Sequence, residues 1–155
     1  MKLSKNFSLS ELTKSQSATR LGIDNIPTMA VIDNLQQLVD NVLQPLRDSL
    51  DRPIIISSGY RSPDLNKAIG GSPTSDHTKG QAADIEVFGI SNKDLAEHIR
   101  DNFKFTQLIL EFPSRNDPSA GWVHVSYNPK DLKCQVLTAE RIGSRVVYRA
   151  GLVLS

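Results

Sequence analysis

The chain has 155 residues, 39% hydrophobic and 23% charged, which is enough for one domain with a buried core. Eighteen Lys and Arg against seventeen Asp and Glu leave a formal charge of +1; this excludes a broad electrostatic footprint for nucleic acid or an anionic membrane, though not a small local patch. The single cysteine, Cys134, excludes an internal disulfide scaffold, and any metal site must draw on His77, His98, His124 and a few carboxylates.

The N-terminal segment has no apolar run long enough for a signal-peptide core. Nowhere does the chain approach the roughly 18 to 20 apolar residues of a membrane span. The expectation is synthesis in the cytoplasm without a signal peptide. Ser8 and Glu11 have capping-box spacing, so a short helix starts there. Leu35, Leu38, Val39, Val42, Leu43 and Leu46 then fall on one helical face. Pro27 suits the first turn of that helix, and Pro45 should kink its last turn or end it early. The run Arg52-Pro-Ile-Ile-Ile-Ser57 is β-branched and apolar and reads as a buried strand. Ser62-Pro63 opens a short helix to Ile69, which Gly70-Gly71 stops.

Residues 71–80 read as loop and Ala83 to Val87 as a strand. Ser91 with Asp94 caps a helix running to about Asn102. Thr106 to Phe112 and Trp122 to Tyr127 are further strands, joined by a polar loop. Two apolar runs, starting at Cys134 and Arg145, flank Ile142-Gly-Ser144 and suggest a terminal hairpin; Cys134 reads as a small packed residue. The fold class is α+β, with N-terminal helices packed on a small, mainly antiparallel sheet. Residues 1–155 are expected to form a single domain: a helical part over 1–50, a core bearing the metal site over 51–130, and a C-terminal hairpin over 131–155. That last stretch is too short for a core of its own, so it should complete the sheet.

Two segments carry candidate chemistry: Ser75-Asp-His77 with Asp84, and Trp122-Val-His124-Val-Ser126. Two imidazoles and one carboxylate meet the ligand count of a catalytic zinc site, which keeps a further position open for water. Strand alternation puts Asp84 with Glu86 on one face, Trp122 with His124 and Ser126 on another, and Gln107 with Ile109 and Glu111 on a third. Polar groups within small apolar strands need partners. A metal supplies them for Asp84 and His124; ordinary hydrogen bonding or exposure would do so too. His98, inside a predicted helix, reads as a surface histidine.

At these residues the chain resembles the zinc D-alanyl-D-alanine carboxypeptidase family, which includes peptidoglycan endopeptidases and some phage endolysins and shares its fold with the hedgehog signalling domain. The resemblance rests on Ser75-Asp-His77, Asp84 and Trp122-Val-His124. It rests also on Ser58-Gly-Tyr-Arg61-Ser62 upstream and on the leading Asn6-Phe-Ser-Leu-Ser-Glu-Leu12, similar to one phage and bacterial branch. It implies Zn2+ held by His77, Asp84 and His124. It implies that Arg61 binds a substrate carboxylate or the developing oxyanion, the alternative being a fold-bracing salt bridge. Ser75 fits substrate binding or a loop hydrogen bond equally. Trp122 fits a cleft wall or a core position.

The chain departs from one familiar pattern in that family, an acid three residues before the last histidine; here that position is Gly121. Glu111, at the end of the preceding strand, is the favoured replacement as general base, with Asp117 the runner-up. If neither serves, the site is catalytically dead. The expected function is a zinc metallopeptidase hydrolysing peptidoglycan stem or cross-link peptides at bonds involving D-amino acids, acting as a monomer with no nucleic-acid partner and no membrane span. The competing reading is an inactive, metal-stabilised wall-binding or phage structural module. Lack of a signal peptide fits a phage-encoded lysis enzyme acting at the wall or periplasm, and equally a chain whose leader has been removed.

Overall fold

Reciprocal hydrogen bonds start the first helix. Glu11 N–H donates to Ser8 Oγ and Ser8 N–H donates to Glu11 Oε1, opening α1 (Leu9–Thr13). These contacts belong to a computed structural model, which describes residues 1–154. A short helix the sequence pattern did not reveal, α2 (Gln16–Leu21), follows; it is capped by Ser15 and ended by Gly22 at φ 68°. Its six residues are too few to display a helical period.

The long amphipathic stretch forms α3 (Met29–Leu38), a widened π-type turn (Val39–Leu43) and α4 (Gln44–Leu50). Thr28, whose hydroxyl accepts from Val31 N–H, is the N-cap, so Pro27 lies before the helix rather than in its first turn. Pro45 does not end the helix early, which runs on to Leu50. A proline lacks the N–H and crowds the carbonyl one turn back. The widened turn, in which Gln44 N–H reaches Val39 C=O, lies directly before Pro45 and takes up both defects. All six predicted face residues, Leu35, Leu38, Val39, Val42, Leu43 and Leu46, are fully buried.

The sheet comprises β1 (Ile55–Ser58), β2 (Ala82–Glu86), β3 (Gln107–Glu111), β4 (Trp122–Ser126), β5 (Gln135–Ile142) and β6 (Arg145–Ala150), in spatial order β1-β2-β4-β3-β5-β6. Every neighbouring pair is antiparallel except β3 with β5. The C-terminal hairpin thus extends the same sheet, entering it beside β3. The expected buried strand at 52–57 is instead a half-buried edge strand. Ile56 turns to the core, while Ile55 is 52% exposed because β1 pairs on one side only. Two further helices, α5 (Pro63–Ala68) and α6 (Asn92–Asn102), are capped by Ser62 and Ser91 as expected. The stretch read as loop holds a 3-10 turn, Asp76–Lys79. Cys134 is exposed at φ 52°, not packed: it turns the chain into β5, its N–H donating to Phe105 C=O.

One face of the sheet and the helices share one apolar cluster. Ala83, Ile85, Leu108, Leu110, Val123 and Val125 meet the α3–α4 face together with Leu95, Ala96 and Ile99 of α6. Each large aliphatic side chain buried there contributes about 1.5–3 kcal/mol. Because strand side chains alternate, packing this face commits the residues between them to the other. Among the described residues, no helix is long and apolar enough to cross a membrane.

Candidate metal centre

Antiparallel register does most of the assembly. Asp84 of β2 stands opposite His124 of β4, and His124 stands opposite Ile109 of β3. Asp84 Oδ1 lies 3.1 Å from His124 Nδ1 and 3.3 Å from His77 Nε2. The two imidazole rings approach edge-on, centroids 5.2 Å apart. One ligand atom from each of His77, Asp84 and His124 falls within 4.8 Å of the others, so the three can hold one metal ion. All three are buried.

His77 reaches this cluster from a loop, and its aim is fixed from both ends. Ser75 Oγ accepts from His77 N–H, Gly80 at φ 72° closes the 3-10 turn, and Arg61 N–H donates to His77 C=O. On the ring, Nδ1 lies 2.7 Å from Gly59 C=O. A carbonyl only accepts, so Nδ1 carries the hydrogen and Nε2 faces the carboxylate. Gly59 is wedged against α1: a Cβ there would meet Leu12 C=O at 2.3 Å, and Tyr60 N–H donates to that same carbonyl. The first helix therefore braces the histidine through one backbone carbonyl.

The donor set suits a cation on these observations alone. Two ring nitrogens converge on a single carboxylate oxygen, an arrangement that needs a proton or an ion between them. Burial opposes the charge on Asp84, but the facing imidazoles, His124 first and then His77, prevail and hold its carboxyl well below the usual range. Burial likewise disfavours a charged His124, yet the Asp84 contact raises it above an ordinary imidazole. Nitrogen and oxygen donors without thiols, with the His77 imidazole oriented by the Gly59 carbonyl, are the set zinc takes in hydrolytic sites.

Glu111 lines the same cleft, which has a volume of about 370 Å³. It stands opposite Trp122, whose Nε1–H donates to Glu111 Oε2 at 2.6 Å. Burial, and then the nearby Asp84 charge, push the Glu111 carboxyl up. Gly121 explains why no acid occupies the position three before His124. It sits at φ 72°, and a Cβ would come within 1.8 Å of Glu111 C=O. The backbone there admits no side chain. Asp117 does not line this cleft; it is exposed, its Oδ1 accepting from Ser119 N–H and Oγ.

Arg61 and Ser75 meet at the cleft rim, Nη2 donating to Oγ at 3.3 Å, while Arg61 Nε is buried without a partner. Burial lowers the Arg61 pKa, against the pull of Asp84 and Glu111. Trp122 is a half-buried cleft wall, backed edge-on by Phe112 at 5.5 Å. His98 lies apart on α6, its Nε2 2.9 Å from Ser49 Oγ. The residue patterns missed Thr74 and Tyr148, which also line the cleft. Tyr148 alternation was readable, but its face depends on the parallel β3–β5 pairing, which no local pattern encodes. A larger depression of about 860 Å³ beside α1 and α2 is lined without any histidine.

Comparison with known proteins bears on this cluster. Residues 5–126 match the family described as Peptidase M15. A 77-residue stretch is 35% identical to the zinc D-Ala-D-Ala carboxypeptidase of Streptomyces albus G, and covers 48% of this chain and 30% of that protein's length.

Proposed function

This chain belongs to the peptidase M15 family, and from that premise we propose that it is a zinc-dependent peptidase cutting peptidoglycan stem or cross-link peptides at bonds involving D-amino acids. The observation that carries the reading is one cleft holding His77, Asp84 and His124 as a compact ligand set with the carboxyl of Glu111 beside them. His77, Asp84 and His124 would hold the zinc. When bound, zinc supplies Lewis acidity, which acidifies a water and polarises a carbonyl.

The remaining work falls to the chain's own side chains. Glu111, with its proton affinity raised by burial, takes a proton from the attacking water and returns it to the leaving amine. The Trp122 indole fixes one carboxylate oxygen and leaves the other for the water. Arg61, with an unpartnered Nε–H and a fork of donors, takes the substrate carboxylate or the oxyanion. Ser75 positions Arg61 and caps the His77 turn. The inactive-module reading drew its motive from Gly121; a carboxylate entering the same cleft from β3 weighs against it. A lysis role at the wall, phage-encoded or bacterial, is consistent with this chemistry.

The test is incubation of the zinc-loaded protein with intact sacculi, followed by amine counting and mass spectrometry of the products. New amines at a defined bond are expected, and the mass shift separates removal of a terminal residue from internal cleavage. Sacculi that release nothing would overturn the proposal.

A further inference from the structure

We infer that Tyr148 contacts the substrate, walling the cleft on the side of the scissile bond away from Arg61; this rests on the peptidase reading above. Register places Trp122 opposite Glu111, Glu111 opposite Ala139, and Ala139 opposite Tyr148. Paired residues share a face, so these four form one row across β4, β3, β5 and β6. Two strand spacings, about 10 Å, separate the Glu111 and Tyr148 backbones. Between them stands only the methyl group of Ala139, fully buried. The row thus has an indole at one end, the carboxyl beside it, a low floor, and a phenol at the far end.

Tyr148 lines the cleft yet is 55% exposed. Among the described residues its ring has no aromatic partner and its hydroxyl no hydrogen bond. It is a rigid aromatic face, free on the side that looks into the cleft. Such a face offers a large contact area at low entropic cost. Arg61 follows β1 and Tyr148 lies on β6, the opposite edges of the sheet. A peptide held at one end by the Arg61 fork therefore extends over the His–Asp–His cluster toward Tyr148. Tyr148 lies outside residues 5–126, the stretch that matches the family.

The molecule carries its own reporter. Trp122, the single tryptophan, lines the cleft, so its fluorescence follows occupancy whether or not a bond is cut. Muropeptides released from sacculi by a muramidase are titrated into the zinc-loaded protein. Tyr148→Ala should raise the half-saturation concentration about tenfold, with KM moving in step and kcat within about threefold. Tyr148→Phe should behave as the parent, and so should Val147→Ala, on the opposite face of β6. Thermal unfolding checks that each variant is folded. In Arg61→Ala/Tyr148→Ala the two binding losses should multiply, as for contacts at separate ends. Turnover with an unshifted Tyr148→Ala titration would sink the inference and leave the peptidase reading intact. Binding without cleavage, weakened by Tyr148→Ala, would sink the peptidase activity and keep the contact. Neither quenching nor cleavage by the parent protein would overturn both.

Discussion

Strands β2, β4 and β3 carry opposite chemistries on their two faces. Toward the helices stand Ala83, Ile85, Val123, Val125, Leu108 and Leu110, all fully buried. Away from them stand Asp84, His124, Ile109, Glu111 and Trp122. Burial by itself does not account for the contrast, since Asp84 and His124 are buried too, each only 8% exposed. What separates them is the kind of force. The helix-side face is held by area and volume, which have no direction and tolerate exchange among similar shapes. The cleft-side face is held by directed contacts, and each buried polar group depends on a named partner. A substitution on one face should therefore damage stability and on the other chemistry, with little crossover.

The largest effect is expected at Asp84. Asp84→Ala removes the oxygen on which both imidazoles converge. Zinc content by elemental analysis should fall to background and turnover with it, while the apoprotein stays folded and loses only the stability that the Asp84–His124 contact adds. If that variant instead unfolded, the cleft face would be part of the scaffold and the comparison would fail. Glu111→Gln is next. It keeps shape and the acceptor for Trp122 but cannot take a proton, so kcat should drop about 10²–10⁴-fold with zinc retained. Retained activity would move the base elsewhere.

The division between faces also sets what was legible in the sequence. The helix-side face was readable because its forces are periodic: the six aliphatics from Leu35 to Leu46 announce their burial by spacing alone. The caps at Ser8, Ser62 and Ser91 were readable because they are local. Pro45 distorts the helix without ending it, and the form of that distortion, the π-type hydrogen bond from Gln44 to Val39, leaves no residue signature. On the cleft side, His77, Asp84 and His124 were legible as donor types at motif spacing, and Glu111 by its strand phase. Tyr148 was not, because its position follows from which strand the hairpin joins. Nor did Gly121 reveal itself as a steric necessity; only the approach of Glu111 C=O shows that.

The helix-side face should answer in the other currency. Leu110→Ala, on the strand that carries Glu111, deletes buried methyls from a fully packed site and should cost about 2–5 kcal/mol in denaturant unfolding. Well below the unfolding transition, zinc stoichiometry and kcat should be unchanged. A loss of zinc in the folded Leu110→Ala protein would show that the packing on one face sets the geometry of the other.

The subtlest expectation concerns pH, where only the cleft face has anything to titrate. His124 is raised above an ordinary imidazole by Asp84, despite burial. In the metal-free protein its protonated form therefore adds stability that is full below the unfolded-state value, about 6.5, and is lost as pH rises through the higher folded value. Metal demands the reverse, because a ligating imidazole must be neutral and the proton competes. Asp84, held well below the carboxylate range, stays ionised throughout and contributes no slope in this window. The rise in unfolding temperature on adding zinc should accordingly be small near pH 6 and grow toward pH 8, steps of about two units spanning the imidazole range. Scanning calorimetry at matched free zinc measures it. Leu110→Ala should lower both curves and leave the gap's pH dependence intact, whereas His124→Ala should flatten it. A gap independent of pH in the parent protein would mean that the imidazoles are not ligands, and the two faces would then differ in packing alone.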